Sequence, residues 1–168
     1  MAKYDQPKYN IILQDGPFEL RSYQPFFTAA VSENHLHGTQ GFRTLFSYIS
    51  GENQRQEKMA MTIPVINDAL DQQMTMEFVL PLEYTEKTIP KPLQDNTVIK
   101  HYPHHLAAVY RFNGSALKQD LETFKKNLIE WIHQQGFQPE GCHRLARYNS
   151  PFSVPLLRHN ELIFTVKQ

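Results

Sequence analysis

The sequence predicts an α+β chain made of two copies of a ββαββ-like unit. Three observations carry this. Short runs that alternate apolar and polar residues recur along the chain, bounded by proline, glycine and asparagine. Two segments instead place apolar residues every three or four positions, the spacing of one helix face. The same order of elements then occurs twice, over residues 9–81 and 97–167.

The elements follow in order. Tyr9 to Leu13 reads as a short strand, turned by Asp15-Gly16-Pro17 into the strand Phe18 to Tyr23, so that the two make a hairpin. After Pro25, Phe26 to Val31 is a third strand. Phe42, Leu45, Phe46 and Ile49 share one helical face, and Gly51 is the expected stop. Glu52 to Glu57 is a polar loop. Lys58 to Val65 reads as an extended strand with Met59, Met61, Ile63 and Val65 on one side, and Pro64 marks it as an edge or a bulge. Two methionines together make a soft, polarizable surface that can line a pocket, although ordinary core is the commoner use of such a pattern. A turn is expected near Asn67-Asp68, then a strand from Met74 to Leu80, then a polar connector from Glu83 to Asn96.

The second copy begins with strands Thr97 to Tyr102 and Leu106 to Phe112, on either side of Pro103. Asn113-Gly114-Ser115 interrupts the chain, with Ser115 suited to cap a helix. Leu117, Leu121, Phe124, Leu128, Trp131 and Ile132 give the strongest helix pattern, ended by Gly136. Arg144 to Tyr148 is a strand, Asn149 to Arg158 a proline-punctuated loop, and Glu161 to Val166 the last strand. The echo extends to residues. Arg21-Ser22-Tyr23-Gln24-Pro25 matches Lys100-His101-Tyr102-Pro103, and Thr28-Ala29-Ala30-Val31 matches Leu106-Ala107-Ala108-Val109 after a one-residue slip.

Composition bounds the function. The chain has 168 residues, 40% hydrophobic and 20% charged, which suits one globular domain over 1–168 rather than a disordered chain. Its formal net charge is zero, so no global attraction to nucleic acid is expected. No run reaches membrane-spanning length, and Met1 to Pro7 lacks the apolar core of a signal peptide. Cys142 is the only cysteine, which excludes an internal disulfide and fits a cytoplasmic location.

Four segments, in order, then resemble the SOUL, or haem-binding protein, family. They are Phe18-Glu19-Leu20-Arg21-Ser22-Tyr23; Gly41-Phe42 with Leu45-Phe46 and Tyr48-Ile49-Ser50-Gly51; Glu57-Lys58-Met59-Ala60-Met61-Thr62-Ile63-Pro64-Val65; and Tyr148-Asn149-Ser150-Pro151-Phe152 with Pro155 and Arg158-His159-Asn160-Glu161. The resemblance implies a duplicated α+β fold, a distorted antiparallel β-barrel flanked by two helices, related to effector-binding modules of the gyrase-inhibitor type. It also implies reversible, non-covalent binding of haem or a related porphyrin without processing it. The family's apolar groove lies between the first helix and the loop before the last strand. Carried onto this chain, it takes Phe42, Leu45, Phe46 and Ile49, then Met59 and Met61, then Phe152, Leu156 and Leu157. Arg43, Arg55, Lys58 and Arg158 are the cations placed to meet propionates.

Haem iron takes His, Cys, Met or Tyr ligands. Of eight histidines, His159 lies beside the groove loop and is the candidate ligand. His35 and His37 would share a strand face and chelate weakly, whereas His104 and His105 would point to opposite faces. No H-E-x-x-H, phosphate loop, G-x-S-x-G or Cys-His framework is present, and no catalytic set is read. Two other readings stay open: a general small-ligand or protein-binding effector module, and a hydrolase on the same fold. The hydrolase would need a buried acid at a cavity floor. Glu19, Glu57, Glu77 and Glu161 are the strand-borne acids, with Glu77 and Glu161 the first to inspect, and satisfied or solvated carboxylates are the simpler expectation.

Overall fold

The computed structural model describes residues 3–33, 39–70, 73–116, 118–150 and 152–168. Its elements run β1 (Tyr9–Asp15), β2 (Phe18–Tyr23), β3 (Phe26–Glu33), α1 (Thr39–Ile49), β4 (Val65–Leu70), β5 (Gln73–Val79), β6 (Thr97–Tyr102), β7 (His105–Asn113), α2 (Lys118–Gln134), β8 (Gln138–Arg147) and β9 (His159–Lys167). This is the expected α+β, ββαββ-duplicated order. Two expectations fall outside the described residues, namely Leu117 of the expected second-helix pattern and the pair His35 and His37.

The chain forms two compact units, and they cut across the sequence repeats. The first holds Met1–Pro7 and Pro25–Pro103, the second Lys8–Gln24 and His104–Gln168. In the first, β3 pairs antiparallel with β5 and β6, and β5 with β4. In the second, β7 pairs antiparallel with β2 and β9, β9 with β8, and β2 with β1. The second unit therefore takes the leading hairpin of the first repeat, β1 and β2, and the first unit takes the leading strand of the second repeat, β6. The connections explain why. A two-residue hairpin needs a positive φ at its first central position, and usually at both. Gln24-Pro25 and Pro103-His104 resist this, since proline is locked near −65° and also restricts the residue before it. Gly16, at φ +56°, supplies the missing conformation between β1 and β2, and there the hairpin forms.

In each unit one face of the strands packs against the helix. In the first unit, α1 buries Leu45, Tyr48 and Ile49 against Ala29, Val31, Met76, Phe78 and Leu80. In the second, Phe18 stacks on Trp131 of α2 with ring centres 5.4 Å apart, and Tyr110 and Phe112 meet Phe124 at 4.9 and 4.8 Å. Trp131 also donates its indole N–H to Asp15 at 3.0 Å. Gly136, at φ +81°, ends α2 as expected.

These faces correct the sequence echo. Ala29 faces α1, whereas Ala107 lies on the opposite face from the α2-facing Tyr110, because side chains alternate along a strand. Ala29 therefore corresponds to Ala108. No slip is needed, and Arg21 and Tyr23 fall level with Lys100 and Tyr102.

Three further expectations change. The segment Lys58 to Pro64 is not a strand, and β4 begins only at Val65. The segment is tied by single bonds instead: backbone Met59 N–H to Ile49 O at 2.8 Å and Ile63 N–H to Asp5 O at 3.0 Å, and the Thr62 side-chain hydroxyl to Val79 O. Pro64 has no N–H for a ladder. Asn67-Asp68, expected as a turn, lies inside β4. Finally, β8 starts well before Arg144, with a register irregularity between Glu140 and Arg144 around Gly141 at φ +70°.

Candidate functional site

In each unit the strand face turned away from the helix carries buried polar side chains, which is uncommon. In the second unit, alternation along β2 puts Glu19, Arg21 and Tyr23 on that face, and β9 adds His159 and Glu161. Arg21, 1% exposed, grips Glu161 with both terminal nitrogens at 2.9 and 2.7 Å, and donates Nε–H to Glu19 at 2.7 Å. It also donates to the Tyr23 hydroxyl at 2.8 Å and lies 4.1 Å above the Tyr9 ring. Glu161 further accepts from the Tyr148 hydroxyl at 2.7 Å and sits 3.1 Å from His159 Nε2. Arg111 completes Glu19 at 3.0 Å.

The first unit repeats the device. Glu77, fully buried, accepts from the hydroxyls of Thr28 at 2.7 Å, Thr75 at 3.2 Å and Tyr102 at 3.0 Å, and from the Lys100 ammonium. A cation and a tyrosine two residues apart, Arg21/Tyr23 and Lys100/Tyr102, thus reach a buried carboxylate in each unit. Glu57 accepts from the Tyr84 hydroxyl at 2.6 Å. The four acids are accordingly hydrogen-bonded, the simpler of the two expectations.

Burial alone would raise the pKa of Glu161, but the bonds from His159, Arg21 and Tyr148 outweigh it and pull it down to about 2. Burial and the neighbouring Glu161 charge push the Tyr148 hydroxyl far up, so it stays a donor. A depressed carboxylate contributes stability above its unfolded pKa and loses it as pH falls toward its folded value. Glu161 therefore stabilises fully above pH about 4.5 and loses about 3 kcal/mol on the way to pH about 2. Urea unfolding of the wild type at pH about 5 and about 2.5 should show this fall, and Glu161→Gln should flatten it.

The residues expected to line a groove fall into two classes. Leu45 is 0% exposed, and Ile49 and Met59 are also buried, all in the core of the first unit, with Phe42 and Met61 half-buried against it. Phe46 is 51% exposed and stacks along Phe42 at 6.1 Å. In the second unit, Phe152, Leu156 and Leu157 are 97, 80 and 73% exposed. They sit on a loop with one 3-10 turn at Pro155–Leu157, held by Ser153 Oγ–H to Ser150 O at 2.6 Å and Arg158 to Ser153 O at 3.3 Å. Arg43, Arg55 and Lys58 are exposed and Arg158 half-buried.

His159, half-buried at the start of β9, packs on Tyr148 at 4.8 Å. Its backbone N–H is fixed by Asn149 Oδ1 at 2.6 Å. Among the described residues no hydrogen bond is made by its Nδ1. Also among them, no cluster of three or more His, Cys, Asp or Glu could hold a bare metal ion, and no helix is long and apolar enough to cross a membrane.

The profile of the SOUL heme-binding protein family matches residues 4–165. The chain belongs to the SOUL haem-binding protein family. It is 26% identical over 167 residues to human heme-binding protein 2, covering 92% of this chain and 80% of that one, and 25% identical over 161 residues to the mouse protein, covering 89% and 78%. Among solved structures, this SOUL chain is similar in fold to the C-terminal domain of EcmrR (TM-score 0.65, 11% identity, 95% and 98% of the two chains). It is likewise similar to a hydrolase from Listeria innocua (TM-score 0.66, 9% identity, 93% and 94%). At these identities the likeness is one of fold alone. Family membership makes haem the ligand to test. The buried cation–tyrosine–carboxylate sets do not show as sets in the sequence, although the echo of Arg21/Tyr23 in Lys100/Tyr102 is their signal.

Proposed function

We propose that this chain binds haem non-covalently, covering it with exposed apolar side chains, and does not process it. The observation that carries the reading is the end of the loop leading into β9. There Phe152, Leu156 and Leu157 stand in solvent, and the next residues are Arg158 and His159. Apolar area of this kind stabilises a bound tetrapyrrole by roughly 25 cal/mol per Å² buried, before the costs of association.

The donor chemistry fits. A ligating histidine commonly gives its other ring N–H to a carboxylate, which fixes the tautomer. Glu161 Oε1, 3.1 Å from His159 Nε2, is such a carboxylate, so Nδ1 is the ring nitrogen that would be left to bind a metal. Were haem bound, His159 would be the residue to hold its iron, and the iron would supply the metal chemistry of the site. In the first unit, taken by itself, Phe46 is an exposed aromatic ring with Arg43 and Lys58 also exposed, and it is the alternative surface to test.

Titration of the recombinant protein with haemin, followed at the Soret band, tests the proposal. A saturable shift at micromolar haem is expected, and its absence overturns the reading. Phe152→Ser/Leu156→Ser should weaken the affinity. His159→Ala should change the band position and the iron spin state by electron paramagnetic resonance. An unchanged spectrum removes His159 as the ligand while leaving haem binding itself standing.

A further inference from the structure

We infer that the first unit carries a separate site for a small aromatic carboxylate. A cavity of about 360 Å³ opens there, lined by Phe27, Ile89 and Ile99 together with Gln54, Arg55, Glu86, Lys87, Lys91 and His101. That volume lies at the low end for small-molecule sites, the size of one or two rings. Its chemistry is divided. Phe27, Ile89 and Ile99 belong to or pack on the apolar core and form the floor. Arg55, Lys87 and Lys91 bring three positive charges to the rim against the one negative charge of Glu86. Among the described residues none of these three cations is paired with a carboxylate.

The walls are held before any ligand arrives. Asn53, 1% exposed, donates to Tyr48 O and Glu57 O at 3.1 and 2.8 Å, and its Oδ1 accepts from the N–H of Arg55 and Glu57 at 3.1 and 3.2 Å. That loop is tied to the facing one by Gln54 N–H to Lys91 O at 3.0 Å and by the Asn53–Pro92 bridge. The facing loop is anchored in turn by the Tyr48 hydroxyl on Pro90 O at 2.7 Å. Phe27 is fixed against the His101 ring at 4.7 Å. Preorganised walls reduce the ordering cost of binding. An apolar floor takes a flat hydrocarbon body, and the planar guanidinium fork of Arg55 suits a carboxylate, with the two lysines adding charge.

The probe is 1-naphthoate, with neutral 1-naphthamide as its control, each titrated into the ¹⁵N-labelled full chain by NMR. Saturable naphthoate shifts are expected at residues 54–55, 86–91 and 99–101, with the amide weaker by at least about tenfold. Lys87→Gln/Lys91→Gln should lose about tenfold in naphthoate affinity and leave the haemin titration unchanged. Equal binding of acid and amide, or shifts elsewhere, overturns the inference. So does loss of haem binding in the lysine variant, or displacement of naphthoate by one equivalent of haemin, because the cavity is then part of the haem site.

Discussion

Arg21→Met is expected to destabilise the fold by about 3–5 kcal/mol, the cost of breaking a buried ion pair by removing one partner. Methionine is close to arginine's length, so the cavity left is small. The loss instead comes from charge. Arg21 touches both Glu161 and Glu19, each no more than 2% exposed, and both lose their buried cation at once. Arg111, 45% exposed, retains only the outer oxygen of Glu19, and His159 only one of Glu161. If the set is charge-balanced in this way, Glu19→Gln/Arg21→Met/Glu161→Gln should recover much of the loss, since whole buried ion sets can be replaced at little cost. Urea unfolding of the two variants measures both. A cost below about 1 kcal/mol for Arg21→Met would mean that water reaches the carboxylates and the set is not a dry network.

The sequence made the elements legible because they rest on local rules. Residues three or four apart in α1 and α2 marked the faces they bury, and glycines marked the stops at Gly51 and Gly136. Two features were not local. The exchange of the β1–β2 hairpin and β6 between units is set by what Pro25 and Pro103 forbid, and a forbidden hairpin does not name the strand's eventual partner. The polar sheet face was hidden for a related reason. The alternation in Phe18-Glu19-Leu20-Arg21-Ser22-Tyr23 reads as one buried and one solvated face, and nothing in it shows that Glu19 and Arg21 are as buried as Leu20. The same limit applies to Lys58 to Pro64, where alternation of Met59 and Met61 is genuine but belongs to an irregular segment with isolated hydrogen bonds. Periodicity reports which side chains turn inward, and it is silent on whether a ladder exists.

Adjacent residues on α1 separate packing from binding. Leu45 is 0% exposed and belongs to the core of the first unit, so Leu45→Ala should cost about 2–5 kcal/mol from lost burial and the cavity left behind. Phe46 is 51% exposed, so Phe46→Ser should cost about 1 kcal/mol or less, chiefly helix propensity and its contact with Phe42. If the exposed ring covers part of a porphyrin, the same serine should weaken haem binding by about tenfold, the value of one aromatic side chain's apolar area. Leu45→Ala, measured where it remains folded, should bind haem as the wild type does. Thermal unfolding and the Soret titration of both variants give a four-way comparison. An unchanged haem affinity in Phe46→Ser would count against α1 and in favour of the Phe152 loop by itself, since Leu45, Ile49 and Met59 are buried in the core of the first unit.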